Sequence, residues 1–262
     1  MPRIHDILTA LEQQIPLILA EPWDNVGLLL GDAQNEAAGV MTCLTLTADV
    51  ADEAIREGAN LVVTHHPILF KAIKRLTTET VEGRMLLKLI RAGVSVYSPH
   101  TAFDSAREGI NQQICEALGL RDIQPIRPRP PSVEGAGRAG QLAFPLRLSE
   151  LIQRLQEICP AERYTFVGDA DQTCKMVGVA CGAAGEFLPD AAALGCHVLV
   201  TGETRFHTCL EARALDTALI MVGHYASERP GVEQLAAALK TLWSPLKVWA
   251  SQVETDPITF SA

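Results

Sequence analysis

The sequence predicts an α/β protein built from two related α/β lobes with mostly parallel sheets. Short aliphatic runs alternate with amphipathic helical patterns along the chain, which is typical of strand-helix-strand units. In addition, residues 58–64 (GANLVVT) and 195–201 (GCHVLVT) share one pattern: a glycine, two variable residues, three aliphatic residues and a threonine. This repeat favours two related lobes, with chance similarity between generic strand-helix-strand units as the alternative.

Composition places the chain among ordinary globular proteins. With 262 residues, 48% of them hydrophobic and 20% charged, it is long enough to bury a core and too apolar to be disordered. No apolar run approaches the roughly 20 residues that span a bilayer, and the N-terminus is amphipathic rather than a secretory signal, which predicts a cytoplasmic protein. A net charge of −9 argues against binding to nucleic acid or to anionic membranes.

The seven cysteines are odd in number, and the sequence contains no Cys-x-x-Cys pair. This pattern argues against a disulfide framework and against a zinc site made of thiolates. We therefore predict that the cysteines are reduced and that most of them are small core residues.

The N-terminal lobe is predicted at residues 1–120. Apolar spacing predicts a first helix that starts at Ile4 and ends near Pro16. Asp49 is predicted to open a second helix, and Gly58 to stop it. The other elements predicted in this lobe are short strands within 21–32, at 40–47, at 61–64 and at 93–97, and helices at 80–92 and 107–118.

A solvated connector rich in Pro, Arg and Gly is predicted at residues 121–140, followed by a C-terminal lobe at 141–262. The alternative is that a C-terminal segment completes the first lobe. Ser227 is predicted to cap the last long helix, with Pro230 in its first turn, where proline is tolerated. The predicted elements are a strand and a helix within 141–158, a strand, a helix and a strand within 175–201, a helix at 207–215, a strand at 218–222, a helix at 227–242 and a strand at 246–250.

Adjacent histidines, His65 and His66, follow the predicted strand at 61–64, and Pro67 then turns the chain out of that strand. The carboxyl ends of strands in open α/β sheets form ligand crevices, and neutral imidazole is the commonest protein ligand of transition metals. An ordinary loop with two exposed histidines is the alternative.

Polar residues follow two further predicted strands. His100 and Asp104 lie in a predicted loop after the strand that ends near Tyr97, and His224 follows the strand that ends at Val222. Glu228 lies in the first turn of the next predicted helix. Because neighbouring parallel strands end at the same edge of a sheet, we expect these groups to converge with the two adjacent histidines.

Three imidazoles and two carboxylates are about what a two-metal site requires. Ligation rich in nitrogen disfavours Ca²⁺ and Mg²⁺, and the absence of thiolate leaves Zn²⁺, Fe, Mn²⁺, Ni²⁺ or Co²⁺. Successive strand residues point to opposite sides, so His65 and His66 are expected to reach different metals. Two divalent ions against Asp104, Glu228 and a hydroxide leave about one positive charge, which favours a small anionic substrate.

Six segments spread along the chain carry a further signal: EPWDNVGL at 21–28, VTHHP at 63–67, SPHTAFD at 98–104, GAGRAGQL at 135–142, TGE at 201–203 and GHYASE at 223–228. In order and over essentially the whole chain, these segments resemble the Nif-three-like family of dinuclear-metal proteins, whose members are often named GTP cyclohydrolase I type 2 homologues. The resemblance implies that five residues bind two metals in the cleft between the lobes: His65, His66, Asp104, His224 and Glu228. It also implies assembly into a hexameric ring.

These observations predict a metal-dependent hydrolase that acts on a small anionic substrate such as a nucleotide. The family name implies GTP ring opening, and the degradation of damaged or modified nucleotides fits the residues equally well. The sequence shows no Gly-rich phosphate loop, and the basic residues near strand ends are Lys71, Lys74, Arg75 and Arg205. The alternative is a non-catalytic protein that handles metal or serves as a ring-shaped scaffold.

Other residues near these motifs have weaker assignments. Glu203 and His207 stand four apart and are candidates for a general acid or base, although a glutamate before a helix also fits a favourable charge-dipole placement. His100 is expected to orient a metal ligand, and Cys181 is expected to line the pocket. Residues 23–25 are expected to form a turn near the site, with Asp24 able to reach it.

Overall fold

A computed structural model describes residues 1–130 and 134–261. The first elements in chain order are α1 (Ile4–Gln14), β1 (Gly27–Leu30), β2 (Gly39–Cys43), α2 (Ala48–Glu57), β3 (Leu61–Thr64), α3 (Val81–Arg91), β4 (Ser95–Ser98), α4 (His100–Ser105) and α5 (Ile110–Ala117). They are followed by β5 (Arg121–Gln124), β6 (Arg127–Pro128), β7 (Gly135–Ala136), β8 (Arg138–Arg147), α6 (Leu148–Ile158), β9 (Thr165–Val167), β10 (Thr173–Ala180), α7 (Leu188–Ala193), β11 (Val198–Thr201), α8 (Phe206–Ala214), β12 (Ala218–Met221), α9 (His224–Leu242) and β13 (Lys247–Ala250).

The chain divides into two compact units. Unit 1 comprises Met1–Phe103 and Gly231–Thr255, and unit 2 comprises Asp104–Pro230 and the described residues from Asp256 onward. The first two boundaries along the chain fall inside helices, α4 and α9, whereas the sequence analysis predicted the end of the first lobe at residue 120. Residues 231–255 thus return to the N-terminal unit.

The segment predicted as a solvated connector, residues 121–140, instead contains strands β5, β6 and β7 and the start of β8. Ile126 is buried in the core of unit 2. Arg127 forms an ion pair with Asp190 at 2.6 Å and lies over the ring of Phe187 at 4.0 Å. These apolar and ionic contacts fix the segment to unit 2, so the prediction of a solvated connector from its prolines was wrong. Residues 131–133 of the predicted connector lie outside the described residues.

The sheet of unit 1 has, among the described residues, five strands in the order β1-β4-β3-β2-β13. Strands β4, β3, β2 and β13 run parallel, and β1 is antiparallel to β4. Every residue of β2, β3 and β4 is buried. Central parallel strands are covered on both faces, which explains their uninterrupted aliphatic character.

Helices α2 and α3 pack on this sheet through an apolar cluster that includes Met41, Val62 and Leu89. The residue that caps α2 is Thr47, whose hydroxyl accepts a hydrogen bond from the Val50 amide at 3.4 Å, and not Asp49 as predicted. Hydroxyl side chains are among the strongest N-caps, and one stood just before the predicted start of the helix.

The sheet of unit 2 has, within the described ranges, six strands in the order β5-β8-β10-β11-β12-β9. Strands β10, β11 and β12 are parallel, and the other pairings are antiparallel. The α/β class is therefore confirmed, and the parallel strands of both units are the ones that the aliphatic runs predicted. Strand β9 was not predicted, because it has only three residues, Thr165–Val167, and they are largely exposed.

The sequence repeat corresponds to the same local structure in each unit. Gly58 and Gly195 both have φ of +80° and precede the buried strands β3 and β11. A Cβ atom at either position would meet nothing within 4 Å. Glycine is therefore favoured here by the left-handed backbone conformation and not by close packing.

Two helices begin elsewhere than predicted. Residues 100–105, expected in a loop, form helix α4, and α9 begins at His224 rather than after Ser227. Pro230 consequently lies in the second turn of α9. His224 follows β12 of unit 2, whereas His65 and His100 follow β3 and β4 of unit 1. The expectation that these three strand ends share one sheet edge was wrong.

No helix in the described part of the chain is long and apolar enough to span a membrane.

Candidate metal centre

Three imidazoles are grouped in unit 1. The rings of His65, His66 and His100 each offer a nitrogen, and these three nitrogens lie within 4.8 Å of one another. The ring centroids of His65 are 5.2 Å from those of both neighbours. Such spacing allows one metal ion to contact more than one ring, because zinc and its neighbours bind imidazole nitrogen at about 2.0–2.1 Å.

The backbone around the two adjacent histidines continues the sheet ladder beyond strand β3. The amide of His65 donates to the Cys43 carbonyl at 2.9 Å, and the amide of His66 donates to the Leu44 carbonyl at 2.8 Å. The Ser98 hydroxyl donates to the His65 carbonyl at 2.7 Å. The two histidines are therefore held by the rigid edge of the sheet and not by a free loop, as the strand-end argument predicted.

The orientation of the His66 ring is set through the loop after β2. The hydroxyl of Thr45 lies 2.7 Å from Nδ1 of His66. The backbone amides of Leu44 and Thr45 donate to the carboxylate of Glu254 at 2.8 and 2.5 Å. Since the Thr45 hydroxyl contacts Nδ1 of His66, a metal ion would be bound by Nε2 of that ring.

The His100 ring is oriented by a carboxylate. Nδ1 of His100 lies 2.8 Å from Oδ1 of Asp24, and Thr101 donates to Oδ2 from its amide at 3.2 Å and from its hydroxyl at 2.5 Å. Burial raises the pKa of Asp24, but these hydrogen bonds outweigh it and lower that pKa to about 2. Asp24 thus contacts His100, which was expected to orient a metal ligand and is itself grouped with His65 and His66.

Asp104 lies at the N-terminal boundary of unit 2, where a small polar network fixes it. Oδ1 of Asp104 accepts a hydrogen bond from the Cys181 thiol at 3.2 Å, and the Asn111 side chain donates to the Asp104 carbonyl at 3.1 Å. The Cys181 amide donates to Asn111 at 2.8 Å. Burial, and then the carboxylates of Asp104 and Glu228, hold the pKa of Cys181 well above its ordinary value, so the thiol acts as a donor to Asp104.

His224 and Glu228 stand one turn apart at the start of α9. Nε2 of His224 lies 3.1 Å from Oε2 of Glu228, and Nδ1 lies 2.9 Å from Oε1 of Glu203. The side chain of Glu228 is 4% exposed, whereas that of Glu203 is 53% exposed. The hydrogen bond to Glu228, which outweighs the opposing effect of burial, raises the pKa of His224 to about 9.

Two glycines allow the loops around His224 to approach closely. A Cβ atom at Gly182 would lie 2.3 Å from Oε1 of Glu228, and one at Gly202 would lie 2.6 Å from the Gly182 carbonyl oxygen. The Ser227 hydroxyl accepts from the Gly182 amide at 3.0 Å and donates to the His224 carbonyl at 2.8 Å. The residue expected to cap α9 instead ties its first turn to this loop.

Glu203 and His207 have different contacts. Glu203 lies before α8 and contacts His224, whereas His207 lies in the first turn of α8, where its ring packs against Phe206 at 6.0 Å. Within the described part of the chain, His207 forms no hydrogen bond with Glu203 or His224. Glu203 also lines a cavity of about 750 Å³ in unit 2, together with Thr204, Arg205, Thr208 and Glu211.

The donors in each unit fit divalent transition metals. Unit 1 supplies three imidazoles, of which His66 and His100 have their Nδ1 atoms in contact with a hydroxyl and a carboxylate. Unit 2 supplies an imidazole and two carboxylates. Imidazole with carboxylate suits Zn²⁺, Fe, Mn²⁺, Ni²⁺ and Co²⁺, and hydrogen-bonded distal nitrogens are the usual environment of metal-binding histidines.

A first prediction concerns the proton on His224. In the metal-free protein we expect its imidazole to titrate near pH 9, because the Glu228 carboxylate stabilises the charged ring. Since the folded pKa lies above the ordinary value of 6.5, this pair stabilises the metal-free fold fully below about pH 6.5, and the contribution is lost as pH rises through about 9. NMR titration of wild-type protein and Glu228→Gln, with His224→Gln to assign the signal, measures this, and an unchanged pKa in Glu228→Gln would contradict it.

The chain is similar to known proteins along its whole length. The sequence model of the family described as Duf34/NIF3 (NGG1p interacting factor 3) matches residues 2–257. A GTP cyclohydrolase 1 type 2 homolog of Clostridium acetobutylicum is 32% identical over 98% of both chains, and one of Streptomyces coelicolor is 33% identical over 99% of this chain and 94% of the relative. The crystal structure of Staphylococcus aureus protein SA1388 matches with a TM-score of 0.90 and 26% identity over 99% of each chain.

Proposed function

The chain belongs to the Duf34/NIF3 family, and from this premise we propose that it is a metal-dependent hydrolase acting on a small anionic substrate such as a nucleotide. The observation that carries the proposal is the group of three imidazoles in unit 1, whose nitrogens lie within 4.8 Å of one another. A group of neutral nitrogen donors at the end of a rigid sheet is suited to transition metals and to little else.

We propose that the metals are two divalent ions of Zn, Fe, Mn, Ni or Co per chain. Their ligands would be the five residues that the family resemblance implies: His65, His66, Asp104, His224 and Glu228. His65 and His66 are proposed to reach different ions.

The chain's own residues hold these ligands in a binding geometry. Thr45 and Glu203 contact the Nδ1 atoms of His66 and His224, which leaves Nε2 of each ring for a metal. Asp24 contacts Nδ1 of His100, the histidine grouped with His65 and His66. The Cys181 thiol donates to Asp104 and keeps one carboxylate oxygen in place. When bound, the ions would supply Lewis-acid polarisation of the substrate and activation of water.

For proton transfer we propose Glu203, with His207 as the second candidate. The Glu203 side chain is 53% exposed, contacts His224 and lines the cavity of unit 2, so it reaches both solvent and a candidate ligand. His207 is exposed and begins the helix that borders the same cavity. A carboxylate bound to a ligand histidine also fits a purely orienting role, which a pH profile of Glu203→Gln distinguishes.

The substrate is proposed from charge and from the relatives' names. Relatives are named GTP cyclohydrolase 1 type 2 homologs, which makes GTP ring opening one candidate reaction. The degradation of damaged or modified nucleotides is equally compatible with the residues. Arg205, Thr204 and Thr208 are the donors that line the cavity beside Glu203, which Glu186 and Glu211 also line.

We further propose a cytoplasmic homo-oligomer, with the hexameric ring that the family resemblance implies. No cysteine in the described part of the chain forms a disulfide, which fits a reducing compartment. Large apolar side chains such as Phe144 and Phe206 are 79% and 71% exposed, as expected where another chain packs. Sedimentation equilibrium would test this proposal, and a monomer at micromolar concentration would contradict it.

Elemental analysis of the purified protein tests the metal proposal. We expect about two divalent ions per chain, and their loss in His66→Ala and Asp104→Ala with the fold retained, because these two residues are only partly buried. Asp49→Ala is the matched control, since Asp49 is an exposed carboxylate on α2 that touches no ligand. Insoluble or unfolded ligand variants would instead indicate a structural metal.

Turnover is tested with a panel of normal and damaged nucleotides in the presence of the metals found. Hydrolysis by wild-type protein and Asp49→Ala, and its absence in Asp104→Ala, is the expected result. Bound metal without turnover of any nucleotide would favour the alternative of a metal-handling or scaffold protein.

A further inference from the structure

Two large aromatic side chains are exposed beside the imidazole group of unit 1. Trp23 is 62% exposed and Phe70 is 49% exposed. Their ring centroids are 6.1 Å apart with an interplanar angle of 78°, and the His100 ring lies 6.3 Å from Trp23 and 6.4 Å from Phe70. The pair, here called the aromatic corner, thus forms two nearly perpendicular walls next to a proposed metal site.

The backbone holds the aromatic corner in place. The side chain of Asn25 donates to the Leu69 carbonyl at 3.0 Å, which ties the turn that carries Trp23 to the loop that carries Phe70. Leu69 has φ of +58°, a left-handed conformation that costs energy for a branched residue. Asp24 is held in turn by His100 and Thr101. Exposed aromatics on anchored backbone are preorganised for a ligand.

The surroundings of the aromatic corner favour an anionic ligand. A cavity of about 430 Å³ is lined by His66, Phe70 and Lys71. Glu82 is the acidic residue that also lines it. The segment after Phe70 carries Lys71, Lys74 and Arg75, all exposed, and its first acidic residue is Glu79, on a chain whose net charge is −9. Local positive charge beside a stacking surface is the arrangement that recognises nucleotides.

We propose that the aromatic corner stacks the base of a mononucleotide, with the indole of Trp23 as the principal stacking surface and Lys71, Lys74 and Arg75 as the phosphate side. This inference rests on the proposed function and names its substrate class as a nucleotide with an intact planar ring. Stacking tolerates any base, because every base presents a π face, and it therefore fixes the position of the ring without selecting its hydrogen-bonding edge. The corner would place that ring beside His100.

The test is equilibrium binding of guanosine 5′-monophosphate and of ribose 5-phosphate to the purified full-length protein. We expect Trp23→Ala to weaken binding of the nucleotide by about 5- to 150-fold, the value of one base-aromatic stack, and to leave binding of ribose 5-phosphate unchanged. Trp23→Phe keeps a stacking face and is expected to retain most of the affinity. Lys71→Ala combined with Lys74→Ala is expected to weaken both probes, more strongly at low salt.

Fluorescence supplies a signature that a merely structural tryptophan would not give. A stacked base is expected to quench the emission of Trp23 in the wild-type protein, while Trp23→Phe binds the nucleotide without that quenching. The remaining tryptophans, Trp243 and Trp249, are partly buried and provide the unquenched background.

Two results would overturn the inference. One is equal affinity of wild-type protein and Trp23→Ala for the nucleotide, and the other is a change in sedimentation of Trp23→Ala, which would assign the aromatic corner to a second copy of the chain. The metal content of the same samples separates this inference from the proposed function. If the protein contains metal and Trp23→Ala does not change nucleotide binding, the stacking inference alone is wrong. If the wild-type protein contains no metal, the proposed function is wrong.

Discussion

Replacing Arg138 by methionine is expected to destabilise unit 2 by about 3–5 kcal/mol, the cost of removing one side of a buried charged hydrogen-bond network. Arg138 is 3% exposed, and its five N–H groups all have acceptors. Its Nε donates to Gln112 at 3.0 Å, Nη1 to the carbonyls of Gly135 and Gly137 at 2.5 and 2.8 Å, and Nη2 to the carbonyls of Ser105 and Ala106 at 2.8 Å each.

The position of these acceptors links Arg138 to the candidate metal centre. Ser105 is the last residue of α4 and Ala106 follows it, at a helix end where carbonyl groups lack helical partners and a cation is favourable. Asp104 is the residue immediately before them. Arg138→Met would therefore leave these carbonyls unpaired next to a proposed ligand, and we expect metal content to fall together with stability.

Calorimetric melting measures the stability effect. A loss of 3–5 kcal/mol corresponds to a midpoint lowered by roughly 6–20 °C in a chain of this size. Arg147→Met is the matched control, because Arg147 lies at the other end of β8 and pairs on the surface with Glu150 and Asp171, and little change is expected there. Equal midpoints for the two variants would show that the buried network contributes nothing.

Local signals predicted most of the regular elements. Strand β3 was predicted at its observed bounds because an aliphatic run stands between Gly58, which ends a helix, and Pro67, which ends the strand. The same logic identified β11. Periodicity and glycine positions act over a few residues, so the sequence alone is sufficient for them.

Short or tertiary features escaped prediction. Helix α4 has six residues, too few for periodicity to register, and it was read as a loop. Ser227 had the side chain of an N-cap, yet its hydroxyl pairs with the Gly182 amide from a distant loop, and α9 begins one turn earlier. Gly182 is 45 residues from Ser227 in sequence, so local sequence patterns cannot predict this hydrogen bond.

The candidate site was partly accessible from sequence. The histidines at the ends of β3 and β4 could be identified because strand ends and Pro67 are local features, and the structure groups their imidazoles. The residues that hold the ligands, Thr45 and Arg138, were missed, because a threonine after a strand or an arginine in a glycine-rich segment has many ordinary explanations. Their roles become visible only in the structure, where Thr45 contacts His66 and Arg138 contacts the end of α4.

Buried charge is also the basis of the second large prediction: Glu53→Ala is expected to destabilise unit 1 by about 2–4 kcal/mol, because buried donors lose their acceptor. Glu53 is 2% exposed although it lies on α2, where a charged residue is expected to face solvent. Its carboxylate accepts hydrogen bonds from the Ser251 hydroxyl at 2.5 Å, the Gln252 amide at 2.9 Å and, at 3.4 Å, the Val253 amide and Trp249 Nε1.

These bonds hold the segment that follows β13, and the next residue in that segment, Glu254, binds the amides of Leu44 and Thr45. Thr45 in turn contacts His66. Loss of Glu53 is therefore expected to loosen the orientation of a proposed ligand and to lower metal content as well as stability. Glu57→Ala provides the control, since Glu57 is an exposed carboxylate on the same helix that pairs with Lys247, and little effect is expected.

The stabilising effect of Glu53 is expected to depend on pH. Burial raises the pKa of Glu53, but the hydrogen bonds from Ser251 and from the backbone outweigh it, so the folded pKa lies below its ordinary value. A carboxylate of this kind stabilises the fold above its unfolded pKa of about 4.3, and the contribution is lost as pH falls through the folded pKa. The difference in melting temperature between wild-type protein and Glu53→Ala should therefore be full at neutral pH and shrink in acid. A difference that stays constant down to about pH 3 would mean that packing, and not the charged hydrogen bonds, accounts for the loss.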